Sequence, residues 1–142
     1  MMNISARNTL AGTVTKVIKG AVNSEVDLTL NGGEKVVAII TNGSVDHLGL
    51  KEGSRAYAIL KSSWVILGKG MDGKKISARN VLPGTVSKVH EGSVNNEVVL
   101  KLSGGSELTA IITRESSHAM GFKEGDEASA IFKASSVIIG VD

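Results

Sequence analysis

The chain is written twice. Ile4-Ser5-Ala6-Arg7-Asn8 returns as Ile76-Ser77-Ala78-Arg79-Asn80, and the same offset carries the alignment to Gly68 and Gly140 without a gap. About 37 of roughly 65 aligned positions are identical, which is far beyond chance for a repeat. Any fold must therefore accommodate one short unit two times. The units are read as residues 1–69 and 75–142, joined by a glycine-rich, charged linker at 70–74. A unit of this size buries only ~60% of its unfolded surface by itself, so the copies must pack together or the chain must associate.

Within each repeat the apolar pattern has a period of two. Gly84-Thr85-Val86-Ser87-Lys88-Val89 alternates sides, and 97–102 follows it. Ser103-Gly104-Gly105-Ser106, like Asn31-Gly32-Gly33 in the first copy, reads as a hairpin turn into a third strand. A short helix over 115–120 stops at Gly121, a C-cap, and strands at 127–133 and 136–140 complete the unit. Trp64, Tyr57, Phe122 and Phe132 are the whole aromatic complement, so the core is built from Val, Ile, Leu and Ala, which suits strands and tight turns. The expected fold is all-β: two tandem OB-like five-stranded barrels, each with one short helix between its third and fourth strands.

Several function classes are disfavoured. No apolar run approaches the ~20 residues that span a bilayer, and no basic start precedes an apolar stretch, so a cytoplasmic protein without a membrane role is expected. Cysteine is absent, which removes disulfides and thiolate metal sites. His47, His90 and His118 each lack a counterpart in the other copy, no metal-ligand spacing appears, and no nucleophile–base–orienter set repeats. The expectation is no enzyme, no catalytic residues and no direct cation ligands. Single-stranded nucleic acid is the alternative ligand for an OB-type barrel. It needs stacking aromatics and a basic groove, whereas none of the four aromatics repeats and the net charge is only +2. No helix-turn-helix pattern stands ahead of the first repeat and no Walker-type loop occurs, so neither a regulator nor a transport ATPase component is expected.

What both copies keep is mostly donors. Ser5 and Arg7, with Ser77 and Arg79, lie two residues apart ahead of a strand; in an extended segment both point to one side, where a hydroxyl and a guanidinium fork suit a tetrahedral anion. A surface arginine before a strand fits the same spacing. Thr41 and Ser44, with Thr113 and Ser116, stand at a strand-to-helix junction beside free backbone N–H groups, which suits an anion or a plain helix cap. Lys61 and Lys133 follow the fourth strand, either supplying charge to an anion or ending the strand in solvent.

Taken together, Ser-Ala-Arg-Asn, Gly-Thr-Val, Val-Asn-x-Glu-Val, Ile-Thr-x-x-Ser and Lys-x-Ser-x-Val-Ile resemble the Mop domain family, and two copies in one short chain resemble its two-domain molbindins. The resemblance covers nearly the whole chain. It implies reversible holding of molybdate or tungstate in the cytoplasm, with no other cofactor, at sites shared between modules. It implies Ser5, Arg7, Ser77 and Arg79 from one module, and Thr41, Ser44, Lys61, Thr113, Ser116 and Lys133 from a neighbour, with backbone donation from Ser62 and Ala134. It further implies a second kind of site near Val22-Asn23 and Val94-Asn95, and a homotrimer of six modules. Two departures stand out: Trp64 becomes Ser136, and Asn42-Gly43 replaces Arg114-Glu115.

Overall fold

The computed structural model describes residues 2–71, 73 and 75–142; Asp72 and Lys74 of the linker lie outside the described residues. The first repeat forms β1 (Asn8–Lys19), β2 (Asn23–Leu30), β3 (Lys35–Thr41), α1 (Asn42–Leu48), β4 (Arg55–Leu60), a 3-10 turn (Ser62–Trp64) and β5 (Ile66–Gly68). The second gives β6 (Asn80–His90), β7 (Asn95–Leu102), β8 (Glu107–Thr113), α2 (Arg114–Met120), β9 (Glu127–Phe132), a 3-10 turn (Ala134–Ser136) and β10 (Ile138–Gly140). The architecture is the expected one of two five-stranded, OB-like units. The last strand starts later than the alternation suggests, because the 3-10 turn takes 134–136. The segments ahead of β1 and β6 bend at Ser5, Arg7, Ser77 and Arg79 instead of running straight.

The local reasons are legible. In β2, Val26, Leu28 and Leu30 turn inward while Glu25, Asp27 and Thr29 face outward, the alternation of a half-buried strand. β1 pairs with β4 through its first half and with β2 from Gly12 onward, with a bulge between Val14 and Lys16. The repeat copies this bulge between Val86 and Lys88. The extra residue bends the long strand so that one chain segment serves two neighbours, which curls the sheet. Both helices begin at a threonine cap and end at a left-handed glycine, Gly49 at φ 64 and Gly121 at φ 66, a conformation costly for any residue with a Cβ.

Repeat boundary and sheet boundary do not coincide. The strand orders are β10-β4-β1-β2-β3 and β5-β9-β6-β7-β8. Each sheet thus takes four strands from one repeat and its edge strand from the other. Ile138 pairs with Ile59, and Ile66 with Ile131. The exchanged strands bring Leu67 and Ile139 into one continuous core with Val14, Leu28, Val86 and Leu100. Burying each such side chain contributes about 1.5–3 kcal/mol.

The opposite sheet edges are closed by side chains. Buried Asn8 donates from Nδ2 to the Thr109 carbonyl at 2.8 Å and accepts from the Thr109 N–H at 2.7 Å. Asn80 makes the same pair of bonds to Val37, both at 2.8 Å. An amide side chain here imitates a strand and satisfies the outer edges of β8 and β3. The two hairpin tips also meet: a Cβ built on Gly104 would lie 2.2 Å from the Gly32 carbonyl oxygen, so only glycines allow this approach. Glu34 accepts the Gly104 N–H at 2.6 Å across the same contact.

Candidate functional site

The strand ladders carry the predicted donors to the line where the repeats join. Asn80 pairs with Phe132, so Arg79 and Lys133 are the next residues along the β6 and β9 strands. Asn8 pairs with Leu60 and does the same for Arg7 and Lys61. Ser77, Arg79, Lys133 and Ala134 line one groove of about 580 Å³, walled by Ile39 and Trp64 from the first repeat. Thr41 and Ser44 line a groove of about 290 Å³ together with Ser135 and Ile138. Ile39 and Ser135 border both grooves, so donors of the two repeats face a shared edge. Lys133 therefore lies with Ser77 and Arg79 of its own repeat, while Thr41 and Ser44 come from the other. Another groove, of about 560 Å³ beside Met71, Pro83 and Lys101, contains none of these residues.

Thr41 and Thr113 are held as caps. Their hydroxyl oxygens accept the N–H groups of Ser44 and Ser116 at 3.0 Å, and the paired hydroxyls lie 2.9 and 2.8 Å apart. Lys61 and Lys133 are extended residues that open the 3-10 turns. The N–H groups of Ser62 and Ala134, first in each turn, have no partner within it. The Ser62 hydroxyl is buried and lacks a hydrogen-bond partner. Lys61 Nζ sits 5.4 Å above the Trp64 ring centroid, within cation–π range.

Arg79 and Arg7 are each tied to a carboxylate of the other repeat. Arg79 Nη2 donates to Glu25 Oε1 at 3.0 Å, and Arg7 Nη2 to Glu97 Oε2. The guanidinium side chains remain half exposed, at 53% and 50%. With five N–H donors, each fork retains others for a ligand while the glutamate fixes its plane. The copies differ behind this pair. A hydrogen bond with Asp27, then the Arg79 guanidinium, holds Glu25 below the ordinary carboxylate range, against the opposing effect of burial. Burial, the hydrogen bond to Glu25 and the Glu25 charge push Asp27 up. In the second copy Val99 stands where Asp27 does.

Val22 and Val94 are each 71% exposed at the entries to β2 and β7, an unusual position for a valine. Their carbonyls accept the N–H groups of Asn42 and Arg114. Asn23 and Asn95 pair with Thr41 and Thr113 in the strand ladders. The second predicted cluster thus adjoins the threonines of its own repeat. Sequence reasoning did not assign the parts of Asn8, Asn80, Glu25 and Glu97, although their retention in both copies marked them. Among the described residues no three His, Asp or Glu side chains gather as a metal site, and no helix is long and apolar enough to cross a membrane.

Residues 4–67 and 76–139 each match the TOBE domain. A molybdenum-pterin-binding protein, MopA of Rhodobacter capsulatus, is 44% identical over 140 residues, which cover 99% of this chain and 53% of MopA. The molybdenum transport protein ModE of Azotobacter vinelandii is 43% identical over 140 residues, covering 99% of this chain and 52% of ModE. The chain therefore spans about half the length of these curated relatives. A crystal structure of the cytoplasmic molybdate-binding protein ModG with molybdate bound superposes with a TM-score of 0.93 at 46% identity, covering 99% of this chain and 100% of that one.

Proposed function

The chain belongs to the TOBE domain family, carrying two Mop-type domains in tandem, and from that premise we infer that it binds molybdate reversibly and leaves it chemically unchanged. The observation that carries the reading is the shared groove edge. Ser77, Arg79, Lys133 and the leading N–H of the Ala134–Ser136 turn border an apolar-walled space, with Thr41 and Ser44 of the other repeat beside it. Hydroxyls, a guanidinium and an ammonium that converge in partly dry surroundings suit a dianion held by charge-assisted hydrogen bonds. No general acid or base is required to hold it.

The finer assignments belong to the same reading. Ser5, Arg7, Lys61 and Ser62 with Thr113 and Ser116 form the equivalent donor set of the other repeat, and Val22-Asn23 and Val94-Asn95 contribute sites of a second kind. Tungstate shares the charge and nearly the size of molybdate and binds the same groups. The protein works in the cytoplasm as a store or buffer, assembled as a trimer whose six domains complete one another's sites. The exposed valines favour such assembly.

Isothermal calorimetry on the whole chain tests this with molybdate, tungstate, sulfate, phosphate and a single-stranded oligonucleotide. Molybdate and tungstate are expected to bind at least about tenfold more tightly than the smaller anions, a gap of about 1.4 kcal/mol. Binding of the oligonucleotide alone would replace the reading with the nucleic-acid one. Light scattering of a monomer mass under conditions of full anion binding removes the shared-site trimer.

A further inference from the structure

We propose that Trp64 makes the two oxyanion clusters unequal, so that the cluster of Ser77, Arg79 and Lys133 fills before that of Ser5, Arg7 and Lys61. The proposal rests on the oxyanion reading above and concerns the regulation of that same site. Beside the donors the repeats differ at Asn42-Gly43, Asp27, Ser62 and Trp64, which become Arg114-Glu115, Val99, Ala134 and Ser136, and Trp64 is the largest of these side chains.

Strand exchange decides where this departure acts. The β5–β9 ladder pairs Ile66 with Ile131 of the other repeat, and Trp64 closes the 3-10 turn just ahead of β5. Trp64 accordingly walls the groove that holds Ser77, Arg79 and Lys133. In the second repeat Ser136 closes the equivalent turn and lines the same groove as Trp64. The indole thus walls the groove of Ser77, Arg79 and Lys133 and lies over Lys61 of the other cluster, and its counterpart Ser136 supplies no second ring.

Two effects then act in the same direction. An indole beside Lys133 and Arg79 displaces water, which strengthens every charged hydrogen bond to an anion there. The ring is also engaged with Lys61, whose Nζ lies 5.4 Å from its centroid. An anion recruiting Lys61 must compete with that cation–π contact. The Ser62 hydroxyl does not offset this, because it is closed off from solvent and so does not face a ligand in the open groove. Trp64 itself is 43% exposed, so it is no core anchor whose main work is packing.

The test is a calorimetric molybdate titration of the whole chain and its variants. The unaltered chain is expected to show two classes of site in the repeat-joining clusters, about three- to tenfold apart in affinity. Arg79→Ala is expected to weaken the tighter class at least about tenfold, below the other, and Arg7→Ala to weaken the weaker class by as much. Trp64→Ser, which copies the second repeat, should bring the two classes within about twofold of one another. Ser136→Trp, which supplies the missing ring, should close the gap from the other side and decides the matter if Trp64→Ser does not fold. A single class in the unaltered chain, an unchanged ratio in the folded variants, or loss of the tighter class in Arg7→Ala overturns the proposal while leaving the oxyanion reading standing. Absence of molybdate binding by the unaltered chain sinks both.

Discussion

At the scale of the residue, Arg7 and Arg79 are each fixed by one carboxylate of the other repeat. Arg79 is fixed by Glu25 and still offers donors to the groove. Arg79→Ala is expected to weaken molybdate binding by about 1.5–3 kcal/mol, the worth of a hydrogen bond to a charged group, with a smaller change in the urea midpoint. A variant that unfolds yet binds normally per folded molecule would make this arginine structural. Asp27 offers a second test. Its raised pKa means that the folded chain holds the proton above the ordinary aspartate range, so stability falls as pH rises through that window. Lowered Glu25 acts in the opposite sense, contributing stability above its ordinary range and losing it in acid. Asp27→Asn keeps a donor for Glu25 and removes the competing charge. The variant should match the parent near about pH 3 and exceed it in stability near about pH 7, as read by urea unfolding at both. A gain that is equal at both pH values counts against the shared-proton arrangement. The sequence displayed Arg7, Arg79, Glu25 and Glu97 as repeated residues, but not as pairs. The partners stand 90 and 54 positions apart, and only the packing of one repeat on the other brings them together.

At the scale of the element, hairpins, helices and the five-strand count were open to reading because each rests on local chemistry. Alternation sets the strands, Gly-Gly turns the hairpins, and threonine and glycine bracket the helices. The exchange of β5 and β10 was not open to reading, for a physical reason. Val65-Ile66-Leu67-Gly68 and Val137-Ile138-Ile139-Gly140 are near-copies, so either strand presents the same face and the same backbone donors to β4 or β9. Pattern cannot tell two equivalent partners apart; only the path of the connecting chain can. The exchange predicts a remote effect. Deleting residues 138–142 of the second repeat should strip the edge from the first repeat's sheet, exposing the amides of β4 that pair with β10. Hydrogen exchange should then speed up in 57–59 of β4 more than in 129–131 of β9. Faster exchange confined to β9 would mean that the strands pair within their own repeats.

At the scale of the whole molecule, the described residues bind the repeats through exchanged strands, the Asn8 and Asn80 edge mimics, the Arg7–Glu97 and Arg79–Glu25 ion pairs, and the glycine contact between hairpin tips. They act at separate points along one seam, and the donors proposed to hold the anion lie on that seam. An anion that bridges the repeats therefore adds to a joint already made, and binding reads out as rigidity of the pair. The exchange has a further consequence. Each repeat lends the other a strand, so the halves are interlocked by more than the peptide that joins them. Cutting it should leave a non-covalent pair of fragments that migrates at the parent mass, each still completing the other's sheet. The nicked pair should lose stability on dilution more steeply than the intact chain, in which the joining peptide keeps the halves at a high effective concentration. A chain of this kind is held together much as a clasp is, by mutual insertion.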